Sequence, residues 1–160
     1  MNSLTIQKYL NQLPRDKIQT ARVYASDLLP ASQILPSTAY VVNTMPHTHD
    51  GEHWVLIYLP PADDGGGGNI EFFDSFGRPP YVSEYQKFLR HNARRRYVFN
   101  KYRLQGFDTS FCAHYCLTYL YCRVVHRMTM NEFVQMFDIS SSASIVNDEL
   151  IRRLFYTFYK

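Results

Sequence analysis

Residues 53–76 read HWVLIYLPPADDGGGGNIEFFDSF, and this stretch decides the fold. Residues 53–59 are almost continuously apolar and too short for a helix, which predicts a central strand buried on both faces. Residues 70–76 predict a second strand. The connection at 60–69 holds four consecutive glycines, a run that loses too much chain entropy to order cheaply. It reads as a surface hairpin loop and not as a domain boundary. An antiparallel hairpin across it has its midpoint near residue 64.5. His53 then stands opposite Phe76, and Asp74 becomes its diagonal neighbour on the same face, within side-chain reach.

Outward from this hairpin, residues 3–13 predict an opening helix ended by Pro14, and residues 15–37 read as irregular, broken by Pro30 and Pro36. Residues 39–44 are β-rich, and 47–52 form a polar loop. Ser83 and Gln86 have capping-box spacing and predict a helix with Tyr85, Phe88 and Leu89 on one face. A strand is predicted over 97–104, a polar turn over 105–111, and a long apolar helix from Cys112 to about Arg127. Thr129 and Glu132 form a second capping-box pair, opening a helix through Phe137. A serine-rich turn at 140–144 precedes a last helix with Leu150, Leu154 and Phe158 at spacing four. The fold class is α+β: a small, mainly antiparallel sheet packed against a central helix headed by Cys112, in a single domain over residues 1–160.

Composition bounds the function. In 160 residues, 46% hydrophobic against 19% charged is a globular balance, and the 13 tyrosines and 11 phenylalanines predict an aromatic core. The longest apolar run, Trp54–Leu59, is far too short to cross a bilayer, and residues 1–13 do not resemble a secretory signal. No membrane association is expected. Three cysteines crowded at 112, 116 and 122 are no disulfide framework, which points to a reducing compartment. Of the net charge of +3, much sits in one stretch: Arg90, Arg94, Arg95, Arg96, Lys101 and Arg103. That cluster is either a solvated face or a polyanion site.

Three residues carry chemistry. A carboxylate at Asp74 beside the His53 imidazole would fix its tautomer and stabilise its charged form. Cys112 stands at a predicted helix start, where free amides and the dipole favour a thiolate. The turn before it, QGFDTSF, offers backbone amides to a developing oxyanion, and Gln105, seven residues upstream, offers a side-chain amide. Cys116 and Cys122 lie deeper in the apolar helix and read as inert core residues. His47, His49 and His53 with Cys112 and Cys116 match no structural-zinc spacing, so no metal is expected. A non-catalytic binding module with Trp54 as recognition surface is the other rival, but a buried strand accounts for Trp54 better.

The order GEHW (51–54), FFDSFG (72–77) and QGFDTSFC (105–112) resembles the adenain group of cysteine proteases, the adenovirus-type endopeptidases, which are related to the ubiquitin-like-protein proteases. YVVNT (40–44) also resembles the adenoviral segment before the histidine. The likeness covers about residues 39–125. It implies a sheet flanked by helices and a papain-like site in a different chain order. It also implies Cys112 as nucleophile, His53 as general base, Asp74 orienting His53, and Gln105 in the oxyanion hole. Trp54 and Gly106 would line the substrate groove, and no metal is required. The implied activity is endopeptidase cleavage of capsid precursor proteins next to glycine during virion maturation, inside the virion and host cell, nucleus or cytoplasm, by a monomer. DNA is the implied partner of Arg90, Arg94, Arg95 and Arg96. A peptide activator would have to bind non-covalently, because no cysteine precedes Cys112. Alternatives are a protease of ubiquitin-like modifiers and an inactive DNA- or capsid-binding relative.

Two departures stand out. Asp74 replaces the adenoviral Glu and matches the ubiquitin-like-protein proteases, and Ala113 stands where the family has Gly. VYASDLLP (23–30) resembles the adenain-like proteins of Polinton or Maverick elements, adintoviruses and virophages.

Overall fold

The hairpin register follows from the sequence. In a computed structural model, which describes residues 1–61, 63, 68–140 and 144–159, β3 (Trp54–Leu59) and β4 (Ile70–Phe73) are antiparallel. Leu56 faces Phe73, Ile57 faces Phe72 and Tyr58 faces Glu71, which is the predicted alignment. Part of the connection, 62 and 64–67, lies outside the described residues, as do 141–143 of the serine-rich turn.

Five strands lie in the order β1-β2-β3-β4-β5, with β1 at Thr20–Tyr24, β2 at Thr38–Asn43 and β5 at Tyr97–Phe99. The central pairings are antiparallel as expected, whereas both outer ones, β1 with β2 and β4 with β5, are parallel. Alternation along the strands sends Val41, Trp54, Leu56, Tyr58 and Phe73 to one face. Tyr40, Val42, Val55, Ile57 and Phe72 go to the other. The first face packs on α3 (Cys112–His126), with α1 (Ser3–Leu10), α4 (Met130–Gln135) and α5 (Ser144–Phe158) beside it. The second packs on α2 (Ser83–His91) through Tyr85, Phe88 and Leu89. Sheet burial on both sides is why β3 carries no polar alternation.

Several expectations are corrected. Residues 15–37 contain β1, because an edge strand of half-buried residues leaves no apolar run to read. The Gln7 side chain closes its outer edge, donating to Ala21 O at 3.1 Å and accepting from Val23 N at 3.2 Å. At α2 the cap is Val82: Ser83 is already helical and Gln86 donates to Pro80 O, so no capping box forms there. The Thr129–Glu132 box does form. On α5 the buried line runs through Asn147, Asp148, Ile151 and Phe155, with Leu150, Leu154 and Phe158 half-buried beside it. β5 stops at Phe99 because Asn100 turns inward to bind the backbone of Asp74. Among the described residues no helix is long and apolar enough to cross a membrane.

Candidate active site

β4 ends at Phe73 because Asp74 opens a tight turn. Its carbonyl accepts from Gly77 N at 2.7 Å and its Oδ1 from Phe76 N at 2.9 Å. Gly77 has φ of 68°, and a Cβ there would meet the Tyr102 backbone at 2.5 Å, so the turn requires glycine. Asn100 locks the same residue: its Oδ1 accepts from Asp74 N at 2.9 Å and its Nδ2 donates to Asp74 O at 2.6 Å. Asp74 is thereby aimed at the residue preceding β3, and His53 Nε2 meets Asp74 Oδ1 at 2.7 Å. The imidazole stacks on Phe76, with centroids 4.7 Å apart.

With Nε2 engaged, Nδ1 is the nitrogen left for the Cys112 sulfur, and the two groups shift each other's ionisation. Cys112 is the first residue of α3, and the backbone amides of Trp54 and Ala113 also help to lower its thiol. His53 and Cys112 are each 8% exposed, enough contact with solvent to reach a substrate. Burial pulls the imidazole down, but the Asp74 hydrogen bond and the Cys112 sulfur outweigh it, raising His53 from 6.5 to about 9. Burial pushes the Cys112 thiol up, yet the His53 hydrogen bond and charge prevail and hold it below its ordinary 9.0. The two shifts favour a thiolate–imidazolium pair. One turn along, Cys116 is fully buried, its sulfur set 3.4 Å from Trp54 O, and burial drives its thiol well above the ordinary value. Burial also pushes Cys122 up, to about 12. Only Cys112 among the three sits in surroundings that ionise it.

Gln105 is buried beneath the polar turn. Its Nε2 donates to Thr109 O at 2.7 Å and its Oε1 accepts from Ser75 Oγ at 2.7 Å, which leaves one amide hydrogen uncommitted. Gly106 is buried with its amide turned to Asp148 Oδ2, 3.3 Å away. Trp54 packs in the core, donates from Nε1 to Met1 O at 3.2 Å, and lines a cavity of about 650 Å³. Tyr24, Asn43, Met45 and Gly51 share that cavity. The basic stretch is divided. Arg90, Arg94 and Arg96 are exposed, whereas Arg95 is half-buried and donates to Gly68 O at 3.2 Å. Arg103 lies over the Phe107 ring at 4.1 Å. His47 pairs with Asp27 at 2.6 Å, apart from the cysteines, and among the described residues no His, Cys, Asp and Glu group is placed to hold a metal.

Sequence reasoning missed Ser75, Asn100, Asn147 and Asp148. Only Asp148 left a signal, as a charge on the apolar line of α5.

No protein-family model matches the chain, and no curated protein matches it. A solved structure that does match is the crystal structure of the ASFV pS273R protease, at 21% identity and a TM-score of 0.49. The likeness covers 77% of this chain but only 44% of that protease.

Proposed function

We propose that this chain is a cysteine endopeptidase, with Cys112 as nucleophile, His53 as general acid and base, Asp74 as orienting group and Gln105 as oxyanion donor. The observation that carries this reading is the Asp74–His53–Cys112 relay at the first turn of α3, with the thiol lowered and the imidazole raised. The Cys112 thiolate attacks the scissile carbonyl, forming the C–S bond while the π electrons move onto oxygen. The free amide hydrogen of Gln105 and the unpaired amides of the first helical turn receive that oxyanion. On collapse the His53 imidazolium protonates the leaving amine. The neutral imidazole then takes a proton from water, which hydrolyses the thioester.

The cavity lined by Trp54, the residue after His53, supports an extended substrate. Resemblance to the adenain group supplies the finer reading: precursor proteins of a capsid, cut next to glycine, in an element of the Polinton, adintovirus or virophage type. It also supplies DNA as the partner of Arg90, Arg94 and Arg96. A panel of glycine-containing capsid-type peptides and ubiquitin-like-modifier fusions, offered to the reduced chain alone, tests the reading. Cleavage of the peptides with iodoacetamide consuming Cys112 first is the expected result. Cleavage of the fusions alone would move the substrate class to modifiers. Equal alkylation of all three cysteines without any cleavage would end the peptidase reading.

A further inference from the structure

We infer that Ser75, backed by the Asn147–Asp148 pair of α5, is a positioning residue that fixes the Gln105 amide for the oxyanion; this rests on the peptidase reading above. Ser75 follows Asp74 directly, is fully buried, and grips Gln105 at two points. Its carbonyl accepts from Leu104 N at 2.8 Å and Gln105 N at 3.1 Å, and its hydroxyl donates to Gln105 Oε1 at 2.7 Å. With Oε1 held by Ser75 and Nε2 held on Thr109 O, the amide cannot exchange its ends without leaving a buried acceptor facing an acceptor. One turn of chain therefore aims both halves of the site: Asp74 sets His53, and the next residue sets Gln105.

Helix α5 holds the flanks of Gln105 from about 42 positions downstream. Asn147 Nδ2 donates to Leu104 O at 3.1 Å, and Asp148 Oδ2 accepts from Gly106 N at 3.3 Å. The Tyr115 hydroxyl, one turn after Cys112 on α3, lies 3.0 Å from Asp148 Oδ1 and 3.2 Å from Leu104 O. The carbonyl before Gln105 and the amide after it are thus both tied to α5, and Tyr115 ties α5 to the helix that carries the thiol. Buried polar side chains that all converge on one glutamine preorganise it, so it need not reorient when charge develops.

The test uses two reagents that consume the same sulfur. N-acetylglycylglycine p-nitrophenyl ester acylates Cys112 through a tetrahedral oxyanion and expels p-nitrophenolate. Iodoacetamide is displaced at a saturated carbon, expelling iodide, and forms no oxyanion. In the full chain, Gln105→Ala is expected to lower the acylation rate at saturating ester about 100-fold. Ser75→Ala is expected to lower it about tenfold, with KM and the iodoacetamide rate unchanged to within about twofold. On the Gln105→Ala background, Ser75→Ala is expected to cost nothing more, because it acts only through that amide. Asp148→Asn, which keeps size and an acceptor for Gly106, is expected to show the same split more weakly. Ser75→Ala losses that multiply with those of Gln105→Ala, or that fall equally on ester and iodoacetamide, would assign Ser75 to general structural support. Wild-type chain that alkylates at Cys112 but leaves the ester untouched would remove the peptidase reading and this inference together.

Discussion

Two polar constellations cross the seam between β4 and α3, and they finish differently. In the second half of α3, Glu71 accepts from Arg123 Nε at 2.9 and 3.1 Å and from Nη2 at 2.8 Å, and it also takes the Tyr119 hydroxyl. Both carboxylate oxygens are filled, and the guanidinium never gives up its proton. Three residues further along the chain, just past the end of β4, Asp74 reaches through His53 to Cys112 at the first turn of the same helix. Here Asp74 Oδ2 has no partner among the described residues, the cation is an imidazole, and the last member is a thiol. Both bridge strand to helix. A cluster closed by a guanidinium can only hold the two elements together, while a cluster whose protons move at neutral pH can also react.

The hardest break falls on the reacting cluster. Cys112→Ala is expected to abolish peptide hydrolysis while the thermal midpoint stays within a few degrees, because the group removed is small and at a helix end. Cys116→Ala, one turn inward, is expected to keep hydrolysis and to lose stability instead, as a core truncation does. Turnover by the Cys112→Ala chain would mean the two clusters had been misassigned.

Removing the imidazole comes next. His53→Ala takes away the main influence that holds the Cys112 thiol low, so burial, opposed then only by the backbone amides of Trp54 and Ala113, pushes it up. Iodoacetamide labelling of Cys112 at pH 6–7 is expected to fall by about one to two orders of magnitude and to recover only in alkali. Wild-type hydrolysis should decline as pH rises through about 9, where His53 loses the proton that the proposed mechanism gives to the leaving amine. An unchanged labelling profile in His53→Ala would show the thiol ionising without its neighbour.

The holding cluster answers to a different measurement. Arg123→Met or Glu71→Ala leaves one buried charge alone and is expected to cost about 3–5 kcal/mol in denaturant unfolding. The pH profile of Cys112 labelling in the folded protein is expected to stay as it was. Joint replacement, Glu71→Leu with Arg123→Leu, is expected to recover much of that stability, since neither charge is then stranded. A shift of the labelling profile in either single variant would tie the two clusters into one electrostatic unit.

How legible these clusters were follows from how local their signals are. The hairpin register could be read from the sequence because two apolar runs bracket one glycine loop, and that register alone makes His53 and Asp74 diagonal neighbours. Cys112 was legible from the polar turn before an apolar helix. Glu71, Arg123 and Tyr119 were not, because a charge in a strand and a charge in a helix reveal nothing of each other until the sheet meets the helix. Asn100 and Ser75 were hidden for the same reason: their partners are backbone and amide groups 26 and 30 positions away. β1 went unread because a half-buried edge strand capped by a glutamine side chain needs little apolar character of its own.

The smallest effect probes whether Asp74 reacts to its neighbours or merely holds them. In a serine-type relay, an amide in place of the aspartate traps the neutral histidine in the wrong tautomer. Here the shifts favour the ion pair, in which both ring nitrogens carry protons, so the oxygen of an asparagine still accepts from Nε2. Asp74→Asn is therefore expected to cost about tenfold in hydrolysis, far less than His53→Ala. Its clearer mark is on pH. Loss of the carboxylate charge weakens the Asp74 hydrogen bond and removes its charge attraction, both of which raise His53, so the alkaline limb moves below about 9, toward neutrality. With the imidazolium less favoured, the Cys112 thiol rises, and the acid limb of labelling moves up. The active window closes from both sides. Rate profiles of hydrolysis and of iodoacetamide labelling across pH 5–10 read both limbs at once. Limbs that stay in place while only stability falls would make Asp74 a second Glu71, a residue that joins strand to helix and leaves the chemistry to His53 and Cys112 alone.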